Sequence, residues 1–181
     1  LYGADILHLY RARKRRKIEL NARMAAVALT NLTVLVLLSV ALIALGRFET
    51  KIGAVVFLTA FGWLTGLGLA KLYKIVAFLT WLECYGPVLG KTATPRVQDL
   101  VVESRAAKWF WLYFAGVWSA TACLLLETPA GFRASAALML AGTIGIGVQI
   151  VRTRLMADVK AELRLSHLTR RPPLFASQQA H

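Results

Sequence analysis

Four uncharged apolar segments alternate with polar or basic segments along this chain. They cover residues of about 24–46, 52–70, 109–126 and 134–151. Because a helix rises about 1.5 Å per residue, segments of this length can cross a hydrocarbon layer of roughly 30 Å. The pattern therefore predicts an all-α integral membrane protein with four transmembrane helices.

Two short connections pair these segments. Residues 47–51 (RFETK) join the first segment to the second, and residues 127–133 (ETPAGFR) join the third to the fourth. Helices joined by so few residues pack as antiparallel neighbours. The sequence therefore predicts two antiparallel hairpins, which together form a transmembrane domain over residues 24–151. The hairpins match in topology but hardly in residues, so no internal repeat is inferred.

The remaining residues predict cytoplasmic extensions, some of them helical. Residues 1–23 form a basic N-terminal segment, and residues 71–108 an interfacial segment and loop. Lys71, Lys74 and nearby aromatic residues are typical of lipid headgroup depth, so we expect the second helix to leave the bilayer there and continue along its surface. Residues 152–169 predict a basic amphipathic helix. Residues 170–181 predict a disordered tail that begins at a pair of prolines.

Composition and charge agree with a membrane protein. Hydrophobic residues make up 57% of the 181 residues, and the mean hydropathy is +0.58. Such a composition would leave a soluble domain with too much apolar surface in water. The net charge of +13 is concentrated at the ends of the apolar segments. Nucleic-acid binders instead carry a folded basic face, so this distribution indicates membrane topology and no nucleic-acid partner.

A basic run close to the N-terminus predicts the orientation of the chain. By the positive-inside tendency this run stays in the cytoplasm, and four spans return the C-terminus to the same side. We also expect the run to bind anionic phospholipids. Its cations are Arg11, Arg13, Lys14, Arg15, Arg16 and Lys17.

The beginning of the sequence and its two cysteines do not indicate a reactive site. The sequence begins at Leu1 with ten fairly apolar residues that look like the tail of a helix, so we expect a fragment of a longer chain, and a signal-peptide pattern is lacking. Cys84 and Cys123 are predicted near opposite membrane faces. No disulfide is expected between them, and neither has a metal-ligand neighbour at useful spacing.

Small residues four positions apart predict close helix packing. In the second span Gly62 and Gly66 have GxxxG spacing, and we favour a contact within this chain over a dimer seam. Similar stripes on the third and fourth spans predict a tight hairpin between them. The third-span stripe is Ala115, Ser119 and Cys123, and the fourth-span stripe is Ala137, Ala141 and Gly145.

Asn31 is the one amide in the first span, and Thr30 and Thr33 flank it. An amide in lipid must find a hydrogen-bond partner on a neighbouring helix or backbone, so we favour a packing contact over a ligand site. The alternative is that Asn31 and Thr33 line the polar cavity of a small-molecule transporter.

The spans lack the side chains that most membrane redox chemistry uses. His8, His167 and His181 all lie outside the four segments, so a histidine-ligated haem, copper or zinc site inside the spans is not expected. The span interiors also contain no Asp, Glu, Lys or Arg, so a proton relay is not expected either. We predict no catalytic residue, no metal ligand and no cofactor held by this chain alone, with haem or quinone in partner subunits.

Two stretches carry a family resemblance. Residues 72–91 (LYKIVAFLTWLECYGPVLGK) resemble a segment of bacterial polytopic membrane proteins that are distantly related to the large subunit of haem-copper oxidases and nitric oxide reductases. Residues 11–23 (RARKRRKIELNAR) are similar to the basic loop before the last helices of such proteins. The resemblance covers about Tyr10–Leu100 and implies a degenerate or accessory relative in the bacterial inner membrane. Catalytic members bind haem and copper through intramembrane histidines that this chain lacks, so no functional residue is carried over.

The leading hypothesis is a non-catalytic accessory subunit of a larger membrane complex, respiratory or otherwise redox-linked, with other membrane subunits as partners. The alternative is a membrane anchor that supplies one wall of a quinone or haem pocket. In that case Trp81, Tyr85 and Trp109 would lie near the headgroup of the cofactor.

Overall fold

The computed structural model describes residues 19–90 and 94–159, apart from the side chain of Val88. Five α-helices and a π-helix make up most of this part. The π-helix, Leu58–Thr65, continues α2 into α3, so that Phe48–Tyr85 is one helix of 38 residues. Two 3₁₀ turns, Gly86–Val88 and Val97–Leu100, lie between α3 and α4. The α-helices are α1 (Leu20–Ala44), α2 (Phe48–Phe57), α3 (Gly66–Tyr85), α4 (Glu103–Leu125) and α5 (Pro129–Arg154).

The predicted all-α class is confirmed over the described residues. Three helices are long and apolar enough to cross a membrane, namely Leu20–Ala44, Phe48–Tyr85 and Pro129–Arg154. With 23 residues α4 is also long enough, but it is not among the three. Its tryptophans and tyrosine are amphipathic rather than strongly apolar, which lowers its hydropathy.

The helices run alternately between two ends of the bundle. One end holds the tight turns at residues 45–47 and 126–128, where Lys51 pairs with Glu127, and is called the turn end. At the opposite end, called the charged end, Glu19 pairs with Lys74. There the backbone N–H of Leu20 also donates to Glu103 Oε1 at 3.1 Å. Each of the two predicted pairs is therefore antiparallel.

Three helices stop in the same way. A residue with positive φ follows the last turn of α1, α4 and α5, namely Gly46 (64°), Glu127 (56°) and Met156 (50°). After α1, Arg47 N–H donates to the carbonyl of Leu42 at 2.9 Å, as in a Schellman cap. The cap at Met156 ends α5 at Arg154, and turns follow to Asp158.

This last cap corrects the prediction for residues 152–169. Arg152 and Arg154 belong to the last turn of α5 instead of opening a new amphipathic helix. Residues 160–169 and the predicted tail lie outside the described residues. The second helix continues unbroken past Lys71 to Tyr85 and buries Tyr73, Ala77 and Thr80 against the bundle.

Buried residues form two clusters. The larger one runs through the middle of the bundle and draws on α1, the π-helix, α3, α4 and α5. The smaller one lies at the charged end and contains Cys84, Tyr85, Leu100, Met156 and Val159, with Trp81 against it. Many large apolar side chains point outward from α1, α3 and α5. An outward-facing apolar surface is what a helix bundle presents to lipid.

Candidate functional site

Asn31 joins three helices from a buried position in α1. It is 2% exposed, and its Nδ2 donates to the carbonyl oxygen of Gly62 at 2.9 Å. Its Oδ1 accepts a hydrogen bond from Trp118 Nε1 of α4, also at 2.9 Å. The predicted packing contact of Asn31 is therefore confirmed. Thr33 is exposed, so the two residues do not share the cavity that a transporter would need.

The carbonyl of Gly62 is one of three consecutive π-helix carbonyls that bond to side chains. Tyr113 donates its hydroxyl to the Phe61 oxygen at 2.7 Å, and Thr65 Oγ1 donates to the Ala60 oxygen at 2.7 Å. Single-turn π insertions are common at functional sites, whereas runs of this length are rare. Because side-chain donors from α1 and α4 reach these oxygens, the widened turn fastens the second helix to both of them. We call Asn31, Trp118, Tyr113 and the π-helix the polar node.

Gly62 and Gly66 lie on the inner side of this region, in contact with the same chain. A Cβ on Gly66 would lie 2.8 Å from the Phe114 ring and 3.6 Å from the Cβ of Ala28. A Cβ on Gly62 would lie 3.4 Å from Asn31 Nδ2. The GxxxG pair therefore packs against α1 and α4, which is the arrangement the sequence favoured.

One donor of the π-helix has no acceptor. Within the described part of the chain, the indole N–H of Trp63 is the buried side-chain polar atom without a hydrogen-bond partner. A buried unsatisfied donor costs about 1–3 kcal/mol. The π-helix therefore carries a local cost that its bonds to Asn31 and Tyr113 have to offset.

The α4–α5 hairpin is tight, as predicted, but uses different residues. A Cβ on Gly142 would lie 2.7 Å from the backbone nitrogen of Tyr113, and one on Gly145 would lie 2.1 Å from the Trp109 ring. On α4 the matching small residue is Gly116, which faces Met139 and the carbonyl of Ser135.

Most of the predicted stripes lie elsewhere. Ala115 and Ser119 are exposed on α4, and Ala137 and Ala141 are exposed on α5. Cys123 is half-buried and reaches the α5 side at Gly131, while Gly145 alone of the predicted α5 stripe is in the hairpin contact. The contacts of Gly116 and Gly142 thus lie one residue beyond Ala115 and Ala141 of the predicted stripes, whereas Cys123 and Gly145 belong to both the predicted and the observed contact.

Ion pairs tie the helices together at the charged end. Arg154 of α5 pairs with Glu83 of α3 and lies 3.5 Å from Thr80 Oγ1. Asp158 accepts hydrogen bonds from Arg152 at 2.8 Å and from Arg105 of α4 at 3.1 Å. The hydrogen bond from Arg152 is the main reason that the pKa of Asp158 lies below its ordinary value.

The aromatic residues proposed for a cofactor pocket do not form one group of three, because Trp81 packs against the cluster that contains Tyr85, whereas Trp109 packs against the larger cluster. Trp81 donates its indole N–H to the carbonyl of Pro95 at 2.7 Å. Tyr85 is fully buried in the smaller cluster, and Trp109 lies over Gly145. Each of the three therefore has a packing role of its own.

A groove between α3 and α5 is the feature that sequence reasoning missed. It has a volume of about 480 Å³ and opens beside the Arg154–Glu83 pair. Most of its residues are apolar, and they come from two helices that are distant in sequence, so only the packing of these helices side by side makes a groove. The residues of the groove are Val76, Leu79, Thr80, Leu82, Glu83, Ile150, Val151 and Arg154.

The predicted lipid-binding run Arg11, Arg13, Lys14, Arg15, Arg16 and Lys17 lies outside the described residues, as do all three histidines. Among residues 19–90 and 94–159 no cluster of three His, Cys, Asp or Glu could hold a metal ion. Cys84 lies at the charged end and Cys123 near the turn end, and both are free thiols.

No protein-family model, curated protein or solved structure matches this chain.

Proposed function

We propose that this chain is a non-catalytic four-helix subunit that packs within a larger membrane complex. The observation that carries the proposal is the exposure of two small-residue stripes, Ala115 with Ser119 on α4 and Ala137 with Ala141 on α5. Small residues let helix backbones approach closely in lipid. Since the described residues cover neither stripe, each offers a close-packing face to a helix of another subunit.

The interior supports the same role. The amide of Asn31, the indole of Trp118 and the hydroxyl of Tyr113 are all hydrogen-bonded within the bundle. These hydrogen bonds hold the helices together, so the polar groups that form them serve helix packing. A fixed bundle with apolar outer faces is suited to bracing or anchoring other membrane helices.

The proposal includes α4 as the fourth span. This helix runs from Glu103 at the charged end to Leu125 near the turn end and packs along α5. Of the 22 Lys and Arg residues, only Arg47, Lys51 and Arg133 belong by sequence position to the turn end. By the positive-inside tendency the charged end faces the cytoplasm. The redox-linked nature of the complex and its place in the bacterial inner membrane rest on the resemblance of residues 72–91 and 11–23.

Extraction from the native membrane in mild detergent tests this role. The tagged chain should migrate on a native gel in an assembly well above its own 19.9 kDa. Substitution A115L should release the chain from the assembly, because a larger side chain prevents the close approach of a partner helix at that stripe. The matched control is A26L, the same change at an exposed alanine of α1, which should leave the assembly intact. A lone monomer, or an A115L chain that assembles normally, would contradict the proposal.

A further inference from the structure

The groove between α3 and α5 has the polarity of an amphiphile-binding site. Val76, Leu79 and Leu82 form one wall, and Ile150 and Val151 form the other. The polar groups lie at the end of the groove where α5 ends, and they are Thr80, Glu83 and Arg154. Its volume of about 480 Å³ lies in the range of small-molecule sites, roughly 300–1,000 Å³.

The groove lies at the depth where lipid tails meet headgroups. At about 1.5 Å per residue, Ile150 is roughly 30 Å along α5 from Pro129 at the turn end. This distance equals the thickness of the hydrocarbon layer. The apolar walls therefore belong to the last part of the hydrocarbon region, and the Arg154–Glu83 pair belongs to the headgroup layer.

In the Arg154–Glu83 pair, the carboxylate of Glu83 is the more exposed group, and the guanidinium of Arg154 is the more buried one. The side chain of Arg154 is 11% exposed, whereas that of Glu83 is 43% exposed. Glu83 Oε2 accepts from Arg154, and Glu83 Oε1 accepts no hydrogen bond from the described residues. A headgroup that carries a primary ammonium next to a phosphate complements this arrangement. Its ammonium can donate to Glu83 while its phosphate balances the guanidinium of Arg154.

We propose that the groove binds one acyl chain of a phosphatidylethanolamine, with the ammonium of its headgroup hydrogen-bonded to Glu83. A purely anionic headgroup would place a second negative charge beside Glu83. A phosphatidylcholine headgroup has no N–H to donate, because its nitrogen is quaternary. The site requires only that the chain lies in a membrane, so it is independent of the proposed subunit role.

A headgroup series on the unaltered chain tests the site. The purified chain is exchanged against vesicles with equal amounts of phosphatidylethanolamine, phosphatidylglycerol and phosphatidylcholine of identical acyl chains. Retained lipid is then quantified by mass spectrometry. We expect phosphatidylethanolamine to be enriched at least roughly tenfold over phosphatidylcholine, as one charge-assisted hydrogen bond predicts. The N-monomethyl and N,N-dimethyl lipids should fall between them, in order of their remaining N–H donors.

Two variants connect this selectivity to the groove. Substitution L79W fills the apolar wall and should abolish lipid retention, whereas L140W, at an exposed position of α5 outside the groove, should retain it. E83Q should reduce the enrichment, because its neutral amide oxygen is a weaker acceptor for the ammonium than the carboxylate. Equal retention of all headgroups, preference for phosphatidylglycerol, retention of a quinone in place of lipid, or an L79W chain that binds normally would overturn the proposal. If E83Q does not fold, the headgroup series and L79W still decide.

Discussion

The two helical hairpins of this bundle are held together by different contacts. In the α4–α5 hairpin, backbone meets backbone at Gly142 and a ring lies directly on Gly145. The hairpin of α1 with the second long helix contains a polar link, a hydrogen bond from Asn31 to a π-helix carbonyl. Close packing is intolerant of added volume, while a hydrogen bond is intolerant of a lost partner. The two hairpins should therefore fail under different substitutions.

The largest effect is expected from added volume in the α4–α5 hairpin. In G142A the new Cβ would lie 2.7–2.8 Å from the backbone of Tyr113, so one helix has to shift. Overpacking of this kind costs about 1–3 kcal/mol. The measurement is the midpoint of SDS-induced unfolding in mixed micelles, followed by circular dichroism.

The same helix supplies the control for G142A. Gly147 has nothing within 4 Å of its would-be Cβ. G147A should be neutral or stabilise by up to about 1 kcal/mol, because alanine favours helix over glycine. Equal effects of the two substitutions would show that the hairpin contact is not close-packed.

A smaller effect is expected from removal of the hydrogen bond in the other hairpin. N31L keeps the branched shape of the side chain but leaves Trp118 Nε1 without its acceptor and the Gly62 carbonyl without its donor. Hydrogen bonds between helices in membranes are worth about 0.6–2 kcal/mol, so we expect a loss of roughly 1–2 kcal/mol in the same SDS titration.

A double-mutant cycle separates the bond from packing. W118F alone removes one donor, and in combination with N31L it should add little further loss, because both changes break one shared contact. T33V, at an exposed position of α1, should have no effect. Full additivity of N31L and W118F would contradict the polar node.

The two tryptophans of this region should respond in opposite directions. Trp118 donates to Asn31, whereas the Trp63 N–H is buried without a partner among the described residues. W63F removes an unsatisfied donor and keeps an aromatic ring, so it should be neutral or stabilise by up to about 1 kcal/mol. W118F should destabilise. A destabilising W63F would mean that its N–H has a partner that remains to be found.

The pairing of helices could be predicted because turns and charges are local signals. Residues 47–51 and 127–133 carry both, and the structure turns where each of them begins, at residues 45–47 and 126–128. The contact face of α4 could not be chosen, because Ala115 and Ser119 lie beside Gly116 and Ala120 in the sequence. Both stripes are made of small residues, and only the position of α5 decides which one is buried.

The π-helix gave no local signal at all. Residues 58–65 (LTAFGWLT) have the composition of any apolar helix. The donors to its carbonyls come from Asn31, 31 residues from Gly62, and from Tyr113, 52 residues from Phe61. A backbone form that depends on such distant donors can be seen only once the helices are packed. The groove escaped prediction for the same reason.

The smallest effect is expected at the charged end, where Asp158, which follows α5, pairs with Arg105 of α4 and Arg152 of α5. The pKa of Asp158 is lowered by hydrogen bonds from Arg152 and Arg105. A carboxyl with a lowered folded-state pKa contributes stability above its unfolded pKa of about 3.9 and loses it as pH falls through the folded value. The contribution should be below about 1 kcal/mol, because both arginines are more than one-third exposed and screened. Acidification from pH 6 to pH 3 should therefore lower the SDS midpoint of the chain slightly more than that of D158N. Equal pH responses would show that this pair contributes nothing, and the close-packed and hydrogen-bonded hairpins would then account for the bundle between them.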